Sequence, residues 1–369
     1  MRPCSLRPYL PTSALRRRAP VSRSYAVQAP GAPTLEIFNQ HVKYLQKERA
    51  ASNAEQSRKV DYIRDEVAQR LCERLLDIQR HFPSVLDLGA NSLNIARALA
   101  NPDHLTLSSH PTSAPNAPSA PDVTDPSKLL TSRISHLTCA ETSPTLLHRD
   151  PEPQSSIPLE LQLLYSLETL PYEPNTFDAV LSSLSIHWVN DLPSLLAQIN
   201  SILKPDAPFL AAMMGGDSVF ELRTSLQLAD LERRGGVSPH VSPMADVRDI
   251  GGLLSKAGFK LLTVDVDDMV VEYPDTFALM MDLQAMGESN AILKSAGGLA
   301  RLSRDVLLAN ESIYRQLHGE EGKEGIPATF RIIYMIAWKE GAGQGKPLPR
   351  GSGQLDLKDV LGGGDFKVS

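Results

Sequence analysis

Apolar residues recur at helical spacing over 61–78, at Ile63, Val67, Leu71, Leu75 and Ile78, which predicts a helix with one buried face. A short apolar strand, 84–88, follows and runs into Gly89, and a helix is expected over 93–99. The pattern then breaks. Residues 101–132 are rich in Pro, Ser, Thr and Ala and hold few large apolar side chains, so they read as a surface insertion without regular structure. The pattern resumes with a strand over 133–139 that closes on Ala140-Glu141. A competing strand at Leu105-Thr106-Leu107 has no acid at its end and ranks second. Further strands are expected over 161–165, 177–184, 208–214, 259–266 and 329–338. Helices are expected over 192–203, 219–233, 247–257, 277–286 and 304–317. Alternating strands and helices imply an α/β fold with a mostly parallel sheet covered on both faces. The final strands suit a seven-stranded sheet with one antiparallel edge and added helices after strand five.

The two ends differ from this body. Arg2, Arg7, Arg16, Arg17, Arg18 and Arg23 all precede the first acid, Glu36, among several serines. That bias marks residues 1–30 as a mitochondrial targeting sequence, with cleavage expected near Tyr25 and the matrix as destination. The domain proper is expected over 31–340. The Gly-, Pro- and Lys-rich segment 341–369 reads as a flexible tail. Net charge is -6 with the arginine-rich leader included, so the balance does not favour a nucleic-acid partner. Three cysteines, with no CxxC pair and no HExxH, give neither a disulfide framework nor a zinc signal, and no metal is assigned.

In open parallel sheets, ligands sit beyond the C-terminal strand ends. Asp87, Gly89, Glu141, Glu168 and Ser185 fall there and are the candidate cofactor-binding residues. Gly89 permits close backbone approach. Glu141 could accept two hydrogen bonds from a ribose diol, and Glu168 could meet an adenine edge. Equally, any α/β protein carries polar residues at its strand ends. In the segment His187-Trp188-Val189-Asn190-Asp191, His187 suits a neutral base or donor near pH 7. Trp188 suits a pocket wall, or simply the core. Asp191 reads as the cap of the next helix. Asp217 is a third candidate catalytic group, or else the cap of its own helix.

Together these segments resemble a known family. The residues that carry the resemblance are Val85-Leu86-Asp87-Leu88-Gly89, the run 181–193 around His187-Trp188, and Ile202-Leu203-Lys204-Pro205-Asp206. To them belong Met214-Gly215-Gly216-Asp217, the run 221–229, Ser238-Pro239-His240-Val241-Ser242-Pro243 and the run 282–290. They are similar to the mitochondrial complex I assembly factors of the arginine-hydroxylase type, which have a class I methyltransferase-like, Rossmann-like fold. A more distant resemblance is to the methyltransferase that acts on malonyl-carrier protein. The resemblance implies hydroxylation of an arginine in the iron–sulfur subunit of the quinone-binding module. It also implies S-adenosyl-L-methionine as cofactor, contact with other assembly factors, and peripheral inner-membrane association through the assembling complex. Where that family continues Leu-Gly-Cys-Gly-Arg-Gly, this chain has Gly89-Ala90-Asn91-Ser92-Leu93. Two alternatives stay open: a non-catalytic assembly scaffold and an S-adenosylmethionine-dependent protein methyltransferase.

Overall fold

The computed structural model describes residues 36–100, 130–150, 155, 157–293, 302–320 and 322–345. The expected leader, most of the 101–132 insertion with its competing strand, and the tail beyond Gly345 lie outside the described residues. Three helices open the fold: α1 (Gln40–Ser52), α2 (Ala54–Lys59) and α3 (Tyr62–Leu76). Then come β1 (Phe82–Leu88), α4 (Asn94–Ala100), β2 (Ile134–Glu141), the short α5 (Pro144–Leu147), β3 (Leu159–Leu163) and β4 (Ala179–Ser183). Next are α6 (Leu192–Ile202), β5 (Pro208–Met214), α7 (Phe220–Arg234) and α8 (Val247–Lys256). The chain finishes with β6 (Phe259–Tyr273), α9 (Thr276–Ala285), α10 (Arg304–His318) and β7 (Ile326–Lys339).

The sheet has seven strands in the order β3-β2-β1-β4-β5-β7-β6. Strands β1 to β5 pair in parallel. β7 is antiparallel to both β5 and β6. The antiparallel strand is therefore one place in from the edge, and β6 is the edge, a correction to the expected antiparallel edge. One face of the sheet sets Val85, Leu137 and Leu181 against Val67, Leu71 and Leu75 of α3. The other sets Leu86, Val180 and Phe209 against Leu195, Leu196 and Ile199 of α6. Each such side chain contributes about 1.5–3 kcal/mol by leaving water.

Most expected elements stand where the periodicity put them. Two differ for physical reasons. β6 extends to Tyr273 because its outer half alternates partly buried and exposed residues and shows no apolar run. α1 was not expected at all, because its buried face is made of Lys43, Gln46, Lys47 and Ala51. Hydrophobic periodicity is blind to a helix that docks through polar groups. Asn39 caps it, its side chain accepting from the Val42 amide at 3.0 Å. An antiparallel bridge between Phe38 and Ile292 ties its start to the segment after α9.

Candidate functional site

The loop after β1 keeps the path of a glycine-rich turn without its glycines. Gly89 has φ +74°, and a Cβ there would lie 2.3 Å from the Ser185 Cβ, so only glycine fits. The Ser185 hydroxyl closes the contact by donating to the Gly89 carbonyl at 2.7 Å. Asn91 (φ 50°) and Leu93 (φ 63°) also occupy the left-handed region. That conformation costs a non-glycine residue roughly 1–2 kcal/mol. Both side chains are buried. The Asn91 amide donates to the Ser183 carbonyl and to Ser185 Oγ, both at 3.0 Å. Leu93 joins the core. Both side chains are thus turned into the protein.

Glu141, at the end of β2, is fully buried and crowded with donors. Its Oε1 accepts from Lys47 Nζ at 2.9 Å, from the Thr142 amide and hydroxyl at 2.8 and 2.9 Å, and from the Ser143 amide at 3.3 Å. Its Oε2 accepts from the Asn91 amide at 2.9 Å. Burial pushes its carboxyl up, but Lys47 and Thr142 together hold it below the usual range. Asp87 is equally buried, yet neither of its oxygens has a partner. Burial, with Glu141 adding repulsion, pushes its carboxyl well above the usual range.

These residues do not fit S-adenosylmethionine as they stand. A ribose diol needs free lone pairs on the strand-end acid, and a carboxylate offers about four acceptor sites. On Glu141, Oε1 is taken up by Lys47, Thr142 and Ser143, Oε2 carries the Asn91 backbone amide, and the residue has no exposed surface from which a ligand could reach it. Glu168 is engaged too, accepting from the Asn190 amide at 2.9 Å.

The His187-Trp188 segment forms a one-turn helix, Ile186–Trp188, after β4. Both side chains meet Glu288, a residue beyond α9. Trp188 Nε1 donates to Glu288 Oε2 at 2.6 Å, and His187 Nε2 lies 3.3 Å from the same oxygen. Lys43 Nζ sits 3.4 Å from that oxygen and 3.3 Å above the Trp188 ring, and donates to the Gly287 carbonyl at 2.6 Å. Arg64 donates to Glu288 Oε1 at 3.2 Å. Burial lowers the Lys43 pKa to about 7, even with Glu288 opposing that shift. Burial likewise depresses His187 against Glu288's opposing pull, so the imidazole is neutral, with its proton toward the carboxylate and Nδ1 unpartnered. Glu288 is pushed up by burial but held far below the ordinary range by Lys43 and His187.

Trp188 is the wall between two cavities. One, about 330 Å³, is largely apolar, with Met214, Leu222, Met244 and Leu283 around Glu288 and His240. The other, about 800 Å³, lies between α1 and the strand ends and is lined by Lys43, Lys47, Tyr165, Glu168 and Ser185. Asp217 borders neither. Its exposed carboxylate pairs with Arg331, and the helix it was expected to cap, α7, begins at Phe220 with Val219 at its N-cap and no side-chain cap. Asp191 does cap α6, accepting from the Ser194 amide at 3.1 Å. Among the described residues, no three His, Cys, Asp or Glu are grouped to hold a metal. Sequence reasoning missed Lys43, Lys47 and Arg64 as site residues. The i, i+4 lysines on one helix face were the available signal.

Residues 125–211 match the family model of a methyltransferase domain. The mitochondrial arginine-hydroxylase NDUFAF5 of Danio rerio is 42% identical over 326 residues, covering 88% of this chain and 90% of that protein. Its Homo sapiens counterpart is 40% identical over 351 residues, covering 95% and 91%. The chain belongs to the NDUFAF5 family. A malonyl-[acyl-carrier protein] O-methyltransferase of Halorhodospira halophila is 27% identical over 310 residues, 84% of this chain and 92% of that protein. The chain is thus similar both to proteins named for arginine hydroxylation and to one named for methyl transfer.

Proposed function

We propose that this chain is a protein-arginine hydroxylase acting in the mitochondrial matrix, peripheral to the inner membrane, on the iron–sulfur subunit of the complex I quinone module. Identity of 40–42% over nearly the whole length to arginine-hydroxylases supports it. The geometric observation that carries it is the apolar cavity with Glu288 and Trp188 at one end. An arginine side chain is a three-carbon stem with a planar cation. Met214, Met244 and Leu283 suit the stem and Trp188 offers a π face for the head, while Glu288, already paired with Lys43 and Arg64, holds that indole in place. Hydroxylation of an unactivated carbon needs an oxidant. The part of these side chains is to bind and orient, with neutral His187 and Trp188 held by Glu288. S-adenosyl-L-methionine is the cofactor the fold suggests.

One observation favours a second reading, a non-catalytic assembly scaffold: Glu141 is fully enclosed and paired with Lys47. Mass spectrometry of the iron–sulfur subunit from cells with and without this protein decides between them. Hydroxylase activity gives one added oxygen on an arginine that disappears with the protein. An added methyl group would indicate methyl transfer instead. An unmodified arginine combined with failed complex I assembly would leave the scaffold.

A further inference from the structure

Helix α1 docks on the rest of the molecule by polar contacts. Gln40 donates to the Trp188 carbonyl at 2.6 Å, Gln46 to the Asn290 carbonyl at 3.0 Å, and Glu48 accepts from Ser143 and Thr145 hydroxyls at 2.5 and 2.6 Å. At its centre, Lys47 reaches the acid at the end of β2 across 94 residues of sequence. Docking is incomplete, because Gln46 Oε1 is buried without a partner. Beside Lys47 lies the 800 Å³ cavity, bounded by α1 on one side and the strand ends on the other. The room for a nucleoside is present, and the acid that would read its ribose is held by the protein's own cation.

We propose that Lys47 is a specificity-determining residue, an internal competitor for the ribose subsite: a nucleoside binds with its diol on Glu141 only when Lys47 has left it. Apparent affinity is then the intrinsic affinity reduced by the fraction of molecules with Lys47 released. Anything that weakens α1 docking raises that fraction, even far from the ligand. The inference rests on the strand-end site being a nucleoside site and not on the hydroxylase reading.

Calorimetry on the full chain tests it with adenosine, 2′,3′-dideoxyadenosine and S-adenosylmethionine as probes. In Lys47→Met the carboxylate keeps its bonds from Asn91, Thr142 and Ser143 but loses the cation that lies between it and the cavity, leaving Oε2, with its single donor, open to a diol. Adenosine and S-adenosylmethionine should then bind at least tenfold more tightly than to the wild type, while the dideoxy analogue should gain nothing. Gln46→Ala, which touches no ligand contact, should tighten adenosine by about threefold through docking alone, and carries the test if Lys47→Met fails to fold. Hydrogen exchange of α1 should speed up when adenosine is added to the wild type. The proposal fails if neither variant binds adenosine more tightly, if the dideoxy analogue gains as much as adenosine, or if adenosine slows exchange in α1. The hydroxylase reading is judged separately, by the mass of the substrate arginine.

Discussion

The indole N–H of Trp188 donates to Glu288 Oε2 at 2.6 Å, joining residues 100 apart in sequence. Through that one carboxylate the loop after β4, helix α1, helix α3 and the segment after α9 are held together, since Lys43, Arg64 and His187 face it as well. Removing one partner of a buried charged group leaves the others uncompensated. Glu288→Ala should therefore cost about 3–5 kcal/mol of unfolding free energy. Glu288→Gln, which keeps an acceptor for Trp188, should cost less. Urea denaturation of the two variants checks the order, and equal losses would mean that the charge is not what matters.

Lys43 makes stability depend on pH in the alkaline range. Its folded pKa of about 7 lies below the ordinary 10.5, so between these values the unfolded chain binds more protons than the folded one. Stability contributed at this site therefore rises with pH across that window, by up to about 1.4 kcal/mol per pH unit. Lys43→Met should flatten the rise. The measurement is the difference in unfolding free energy between wild type and variant at pH 7 and pH 9.

Asp87 works in the opposite direction. Its folded pKa is raised above the ordinary 3.8, so the unfolded chain releases its proton first and stability falls as pH climbs from there toward the folded value. Asp87→Asn should stabilise the protein at pH 7 by more than about 1 kcal/mol, with a smaller gain at pH 5. Thermal melts at the two pH values check it. A loss of stability at both would show that the carboxylate has a partner in solution.

Asp217→Ala should leave complex I maturation and substrate hydroxylation unchanged and cost at most about 1 kcal/mol, as exposed ion pairs do. Its partner Arg331 keeps Asp268, whose carboxylate lies 2.7 Å away. Loss of hydroxylation in a folded variant would return Asp217 to the site.

What the sequence showed and what it hid follow from the range of the forces involved. β5 was legible at both ends because Pro205 and Gly215 bracket a continuous apolar run. Glu141 was legible because an apolar strand ends in it. Lys47 was not, because an ion pair across 94 residues leaves no local mark. Glu288 sits in a polar cluster of sequence and becomes a hub only when three distant segments, carrying Lys43, Arg64 and His187-Trp188, converge on it. Asp217 misled because Gly215-Gly216-Asp217-Ser218 looks like a cap. The actual turn turns the Ser218 hydroxyl onto the Arg331 carbonyl at 2.9 Å and leaves Asp217 outside.

The place of β7 bears on how the chain can mature. Residues 326–339 are the only described route by which the 15-residue β6 joins the sheet, since β6 pairs with β7 and not with β5. A chain delivered amino-terminus first therefore holds β6 without a ladder partner until nearly all of it has emerged. Asp265, Asp267, Asp268 and Glu272 punctuate β6, and such charges discourage pairing with a stray strand during the wait. Final closure is then a zipper from the carboxyl end: a truncation before residue 326 should leave β1 to β5 able to collapse yet expose a long sticky border, making aggregation rather than partial activity its signature.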